Sequence, residues 1–306
     1  MNKRKVLFLL ATALILVHLP LQSQERPAIR VQRLSDRLAV FTEESRMENN
    51  IIAVETSKGL VVVDATGSPA NAEAMRRKIV ETFDRNDVVY LINTHHHWDH
   101  AWGNQVFNDA QIIGHKMCLE RMKLDFESRA GRVPQGFVPT YPTKTFEDEL
   151  TLNLGDVRIN LIYFGRAHSG ADIFIHIPKE HALLTGDVFL DRGWLPLFSG
   201  QPDLDIPRWI SVLEKLLDGK DSIGYVIPAH REVWPKEKLV LWRDYIVELW
   251  NEVRSASKEG LTVDAVVARF PLKERYKYPR SLGHSDKDLE EFHVRNIGAF
   301  WRQLAR

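Results

Sequence analysis

Within one stretch of six residues, His95-His96-His97-Trp98-Asp99-His100, four imidazoles and a carboxylate stand together. Imidazole and carboxylate suit a borderline-soft divalent ion such as zinc, and a catalytic site keeps one position open for water. In an extended backbone alternate residues share a side, so His95 and His97 point together, His96 points away, and Asp99 and His100 turn toward a second position. The other reading is a solvated histidine tract. The apolar run Val88-Val89-Tyr90-Leu91-Ile92-Asn93 leading into the cluster, and the acid inside it, argue against that.

His-x-His-x-Asp-His after a strand resembles the signature of the metallo-β-lactamase superfamily, and the likeness continues in order along the chain. Asp64 closes the run Val61-Val62-Val63. Gly165-Arg166-Ala167-His168-Ser169-Gly170, Leu183-Leu184-Thr185-Gly186-Asp187 and Ile227-Pro228-Ala229-His230 follow. The resemblance covers roughly residues 35 to 232. It implies two Zn2+ per chain, one held by His95, His97 and His168, the other by Asp99, His100 and His230, with Asp187 bridging them. It also implies a hydrolase in which a metal-activated hydroxide attacks an acyl bond of a small molecule, whether ester, lactone, thioester or β-lactam. Asp99 and Asp187 are the catalytic carboxylates of this reading, Asp99 doubling as a proton acceptor or shuttle. Asp64 is placed behind the ligands, the alternative being a cap on the turn at Thr66-Gly67. His115 is read as structural or as a support behind the ligands.

Departures from the family pattern narrow the substrate. In the best-known subclass of true β-lactamases the position of Asp187 is a cysteine and that of Leu190 a drug-binding lysine; here Arg192 is the nearby cation. The tyrosine of quorum-type lactonases has no counterpart in Val188-Phe189-Leu190, and no basic glutathione-binding tail is evident. The segment from Thr145 through His168, Asp187 and the helix after Asp205 is similar to exported β-lactamase-like hydrolases. The alternatives are a true metallo-β-lactamase, a phosphodiesterase and a non-catalytic zinc-binding accessory protein. Tyr141, Arg192 and Trp194 are candidate substrate contacts, in loops spanning 124–145 and 190–204. The lone Cys118 reads as a core thiol, His176 and His181 as surface, and His284 and His293 as tail residues without metal-like neighbours.

The elements that must carry these groups follow from apolar spacing. Short β-branched runs between residues 28 and 65 predict antiparallel strands, and Ala72, Met75, Ile79, Val80 and Phe83 predict a helix opening at Pro69. Strands are expected again at 150–154, 157–164, 172–177 and 182–185, with a Gly155-Asp156 turn, then a helix over 206–217 and a last strand at 225–227. Two β-rich layers with helices outside are implied, and the resemblance makes this the α/β four-layer αββα sandwich with extra C-terminal helices. Asn2-Lys3-Arg4-Lys5 followed by the apolar run Val6 to Val17 reads as a signal peptide over 1–23, since a membrane-spanning helix needs roughly 20 apolar residues. One domain is expected over 25–306, its helical C-terminal extension starting near 236, in a periplasmic or secreted protein without stable membrane insertion after cleavage. Of 306 residues, 44% are hydrophobic, and 41 basic side chains balance 41 acidic ones, so no global field recruits nucleic acid. The expected partner is a small molecule.

Overall fold

The computed structural model describes residues 28–129, 131–189, 205–219, 223–277 and 285–304. The segment read as a signal peptide, and Arg192, Trp194 and His284, lie outside the described residues. The first half runs β1 (Ile29–Arg33), β2 (Leu38–Glu43), β3 (Asn50–Thr56), β4 (Gly59–Val63), α1 (Pro69–Phe83), β5 (Val88–Ile92), α2 (Trp98–Ala101), β6 (Gln111–His115), α3 (Lys116–Ser128) and β7 (Lys144–Phe146). The second half runs β8 (Glu149–Asn153), β9 (Arg158–Tyr163), β10 (Ile173–Ile177), β11 (Ala182–Gly186), α4 (Ile206–Asp218), β12 (Tyr225–Pro228) and β13 (Trp234–Pro235). Helices α5 (Lys236–Lys258), α6 (Val263–Arg269) and α7 (Asp286–Leu304) complete the chain.

Seven strands form one sheet in the order β1-β2-β3-β4-β5-β6-β7, and six form the other in the order β13-β12-β11-β10-β9-β8. Period-two alternation sorts each strand between two interfaces. In the first sheet Leu38, Val40, Ile52, Val54, Val61 and Val63 meet Ile159, Leu161, Ile173, Ile175, Leu184 and Ile227 of the second. Their neighbours Ala39, Phe41, Ala53, Leu60 and Val62 pack outward against Met75, Ile79 and Phe83 of α1. On the far side Phe174, Leu183 and Val226 pack against Trp209 and Leu213 of α4 and Leu239, Trp242, Leu249 and Phe300 of the tail helices. The result is two mixed sheets flanked by helices, the αββα sandwich. Among the described residues no helix is long and apolar enough to cross a membrane.

Local signals set the helix ends. The Ser68 side chain accepts from Asn71 N–H, Pro69 occupies the first turn, and Asp84 ends α1 in the left-handed conformation at φ +52°. Asp205 caps α4 by accepting from Arg208 N–H. Two expectations need correction. Residues 124–145 are not one loop: α3 runs on to Ser128 because Cys118, Met122 and Phe126 repeat at four-residue spacing on its buried face, and β7 begins at Lys144. His176 is not on the surface either. It shares the outward face of β10 with Phe174, and that face is covered by helices, leaving His176 7% exposed. His181, in the turn before β11, is exposed as expected.

Gly103, just after α2, donates its N–H to Thr66 O at 3.2 Å. A Cβ there would meet the Ala65 carbonyl oxygen and Ala72 Cβ. Neither can swing aside, so Gly103→Ala is expected to cost about 1–3 kcal/mol in denaturant unfolding. A loss below about 0.5 kcal/mol, the range of ordinary surface changes, would contradict this close approach.

Candidate metal centre

Strand direction places the chemistry at one edge of the sandwich. β4 pairs parallel with β5, and β11 parallel with β12. Asp64, the His95–His100 segment, Asp187 and His230 therefore follow the C-terminal ends of four strands. β9 and β11 are both antiparallel to β10, so the β9–β10 loop carrying His168 opens at the same end. The two sheets touch here: Ile173 N–H donates to Thr94 O at 3.1 Å. Gly186, at φ +54°, lies so near Thr94 that a Cβ would sit 2.9 Å from Thr94 Cβ, which explains the glycine before Asp187.

Two donor groups result. His95, His97, His168 and Asp187 form one, and Asp99, His100 and His230 the other; within each, one atom per residue lies within 4.8 Å of the rest. Asp187 faces both. Its Oδ2 is 3.7 Å from His95 Nε2 and 3.5 Å from His168 Nε2, while its Oδ1 is 3.3 Å from His100 Nε2 and 3.3 Å from His230 Nε2. Asp99 Oδ2 stands 3.4 Å from His100 Nε2 and 3.5 Å from His230 Nε2. His97 Nδ1 and His168 Nε2 are 3.1 Å apart.

The opposite ring nitrogens are anchored, which sets which nitrogen looks inward. Thr94 Oγ1 donates to Asp64 Oδ2 at 2.8 Å and so accepts from His95 Nδ1–H at 3.1 Å. His230 Nδ1 donates to the Met47 carbonyl at 2.8 Å, and His100 Nδ1 faces Asp64 Oδ2 at 3.3 Å. Such outer partners fix ring orientation around a metal. The inward atoms His95 Nε2, His100 Nε2 and Asp187 Oδ1 are buried and have no hydrogen-bond partner. Imidazole nitrogens and a carboxylate oxygen that converge in a buried space and find no hydrogen-bond partner there are a donor set that a metal cation would complete, so these residues fit a metal.

Charge distribution points the same way. Burial alone would raise the Asp187 pKa, but His100, His230 and His95 outweigh it and hold the carboxyl well below its ordinary range. Burial likewise opposes a charged His230, yet Asp187 and Asp99 raise its pKa to about 9, and they raise that of His100 as well. Burial, reinforced by neighbouring His100, keeps His95 neutral.

Asp64 is behind the ligands and not merely a turn cap: its Oδ1 accepts from Thr94 N–H at 2.8 Å. His115 plays a different part. Its Nδ1 accepts from Met117 N–H, capping α3, its Nε2 donates to Glu147 O, and its ring stacks on Tyr163 at 3.7 Å. Tyr141 packs beside Phe126 at 5.4 Å in an aromatic cluster with Trp98, Trp102 and Phe137 next to the His95–His100 segment. Cys118 is buried, as expected. His293, read only as a tail residue without metal-like neighbours, proves to be buried and held by Tyr245 and the Phe270 carbonyl.

Spacing did not reveal several supports. Asn49 donates to Asp99 O, and Asn50 to Pro228 O and Arg231 O. Asp172 accepts from Ser169 N–H, Ser169 Oγ and Gly170 N–H, fixing the turn after His168. A short polar pair opening an apolar strand, and an acid three residues after Ser169, were the only signals available.

Comparison with known proteins decides the family. The profile of the metallo-beta-lactamase superfamily matches residues 46–230, a span that contains every candidate ligand and ends on the last of them. The chain belongs to the metallo-β-lactamase superfamily. Members of this superfamily are metal-dependent hydrolases that typically bind zinc. The chain is 28% identical over 252 residues to the 2,4-dinitroanisole O-demethylase subunit alpha of Nocardioides sp., covering 80% of this chain and 71% of that one. It is 24% identical to a type 2 metallo-β-lactamase of Elizabethkingia meningoseptica, covering 83% of this chain and 98% of the relative. Among solved superfamily structures, a metallo-β-lactamase from Pontibacter korlensis aligns with a TM-score of 0.56 at 16% identity, over 70% of this chain and 96% of that one. The sec-alkylsulfatase Pisa1 from Pseudomonas sp. aligns with a TM-score of 0.68 at 15% identity, over 90% of this chain but 50% of its own length. At those identities the structural likeness speaks for the fold.

Zinc added to metal-free protein at pH 7 must displace the protons that the carboxylates hold on His100 and His230. Calorimetry in buffers of differing ionisation enthalpy is expected to show net proton release. A binding heat independent of the buffer would show both imidazoles already neutral.

Proposed function

We propose that the chain is a dinuclear zinc hydrolase that cleaves an acyl bond, in an ester, lactone, thioester or β-lactam, of a small molecule. The observation that carries this reading is Asp187, whose two oxygens face two separate sets of imidazoles. His95, His97 and His168 would hold one ion, Asp99, His100 and His230 the other, and Asp187 both. Zinc, when bound, supplies Lewis acidity and lowers the pKa of a coordinated water toward about 7.

The chain's own groups do the rest. Asp187 offsets the repulsion of two cations with a buried negative charge, and the outer partners of His95, His100 and His230 aim the inward nitrogens of these rings at the ions. Asp99 is the proposed proton acceptor or shuttle, and against the opposing effect of burial His100 and His230 hold it in the carboxylate form from which that role would start. The chemistry needs no protein nucleophile, and Cys118 could not serve as one, since burial pushes its thiol pKa up. The balance of 41 basic and 41 acidic residues favours a small molecule over a polyanion. The basic and then apolar N-terminus supports export, to the periplasm or outside the cell. Tyr141 is a proposed substrate contact, as are Arg192 and Trp194.

A second reading, cleavage of an activated aryl ether, is favoured by the similarity to the 2,4-dinitroanisole O-demethylase subunit. One assay separates the two. Zinc-loaded protein is offered a chromogenic cephalosporin, a set of esters, lactones and thioesters, and 2,4-dinitroanisole. Turnover of an acyl substrate that disappears with chelator supports the first reading, and turnover of the anisole alone supports the second.

His97→Ala and Asp187→Ala are expected to leave a folded protein whose turnover falls beyond the roughly 10–100-fold typical of losing an outer partner. Wild-type turnover in either variant, by the same assay, would remove that residue from the site.

A further inference from the structure

The β2–β3 connection supports one of the two donor groups in a way that the other does not share. Asn49 is 4% exposed, and its side-chain amide donates to the Asp99 carbonyl at 2.5 Å. Asn50 is 1% exposed and uses its side chain fully: Nδ2 donates to Pro228 O at 2.9 Å and Arg231 O at 3.0 Å, and Oδ1 accepts from Thr42 Oγ1 at 2.7 Å. The backbone adds to the grip. Asn50 N–H donates to Ala229 O, Arg231 N–H donates to Glu48 O, Asn49 forms an isolated bridge with His230, and Met47 O receives His230 Nδ1–H. The segment thereby brackets the Pro228–Arg231 turn on both sides of His230, and holds Arg231 at φ +65°, a conformation side chains other than glycine rarely adopt. The His95, His97 and His168 group is braced from elsewhere, through Thr94 on His95 and Asp172 on the turn after His168.

We infer that Asn49 and Asn50 are positioning residues for the Asp99, His100 and His230 metal position, and that they set its affinity independently of the other position. This rests on the dinuclear reading above. The physical reason is preorganisation. Without the Asn49 amide, the Asp99 peptide loses a buried donor and its carboxylate can drift. Without the Asn50 amide, two buried carbonyls of the His230 turn lose their donors. Neither residue belongs to the two donor groups, so each acts through the ligand it holds. Asp64 makes a natural contrast, because it braces His95 through Thr94 and also faces His100.

The test is a metal titration that needs no substrate. Metal-free full-length protein is titrated with Co2+, followed by visible absorbance and by calorimetry, and the thermal unfolding of each metal-free variant is measured alongside. Wild type is expected to take up two equivalents. In Asn49→Ala and Asn50→Ala one equivalent should bind within about twofold of wild type, with the other weakened by roughly 10–100-fold. Asp64→Ala should weaken both. If Asn50→Ala fails to fold, Asn49→Ala, which removes a single hydrogen bond, carries the test. Equal weakening of both equivalents in Asn49→Ala, or of neither, would overturn the inference. A wild type that binds one equivalent would overturn the dinuclear reading and the inference with it.

Discussion

A carboxylate 5% exposed cannot remain ionised inside a sandwich unless positive charge is gathered around it, and Asp187 is such a carboxylate. Its desolvation is repaid only by close, well-aimed partners, and a partner displaced by an ångström turns a stabilising contact into an uncompensated charge. This requirement reaches far into the architecture. The imidazoles that satisfy Asp187 come from the ends of β5, β9 and β12, in two different sheets, so the sheets must meet at a fixed register. The Gly186–Thr94 approach and the Ile173–Thr94 hydrogen bond are where that register is enforced.

Rigidity at this edge is bought with unusual backbone. Asp64 and Thr66 both have positive φ, at +62° and +59°, on the connection leaving β4. Conformations of this kind cost on the order of 1–3 kcal/mol each and persist only where their surroundings over-determine them. Here Asp64 is gripped by Thr94 through two hydrogen bonds and faces His100, so strain in one connection is balanced by order in the ligand segment beside it.

Much of this was legible in the sequence because the ligand motifs are local. A strand that ends in His-x-His-x-Asp-His, Thr-Gly-Asp or Pro-x-His announces both its own direction and the group at its tip. Valine and isoleucine runs showed the strands, and the spacing of α1 matched its observed bounds. What the sequence concealed was long-range. His176 looked solvent-facing because nothing near it reveals that α4 and the tail helices cover β10's outer face. Asn49 and Asn50 carry no periodic signal, since what they hold lies about 50 and 180 residues away. Leu124, 66% exposed on α3, broke the apparent helical pattern although Met122 and Phe126 continued it.

The tail helices have a consequence for how the molecule is made. All the candidate ligands precede residue 231, whereas Leu239, Trp242, Leu249 and Phe300, which cover the sheet bearing His168, Asp187 and His230, come after it. A chain that emerges from its N-terminus therefore presents a complete set of metal-seeking groups before it has the apolar cover behind three of the seven. During that interval an early ion would meet donors not yet backed by the tail helices, and the part of the Phe174, Leu183 and Val226 face that α4 leaves bare would stand open to other chains.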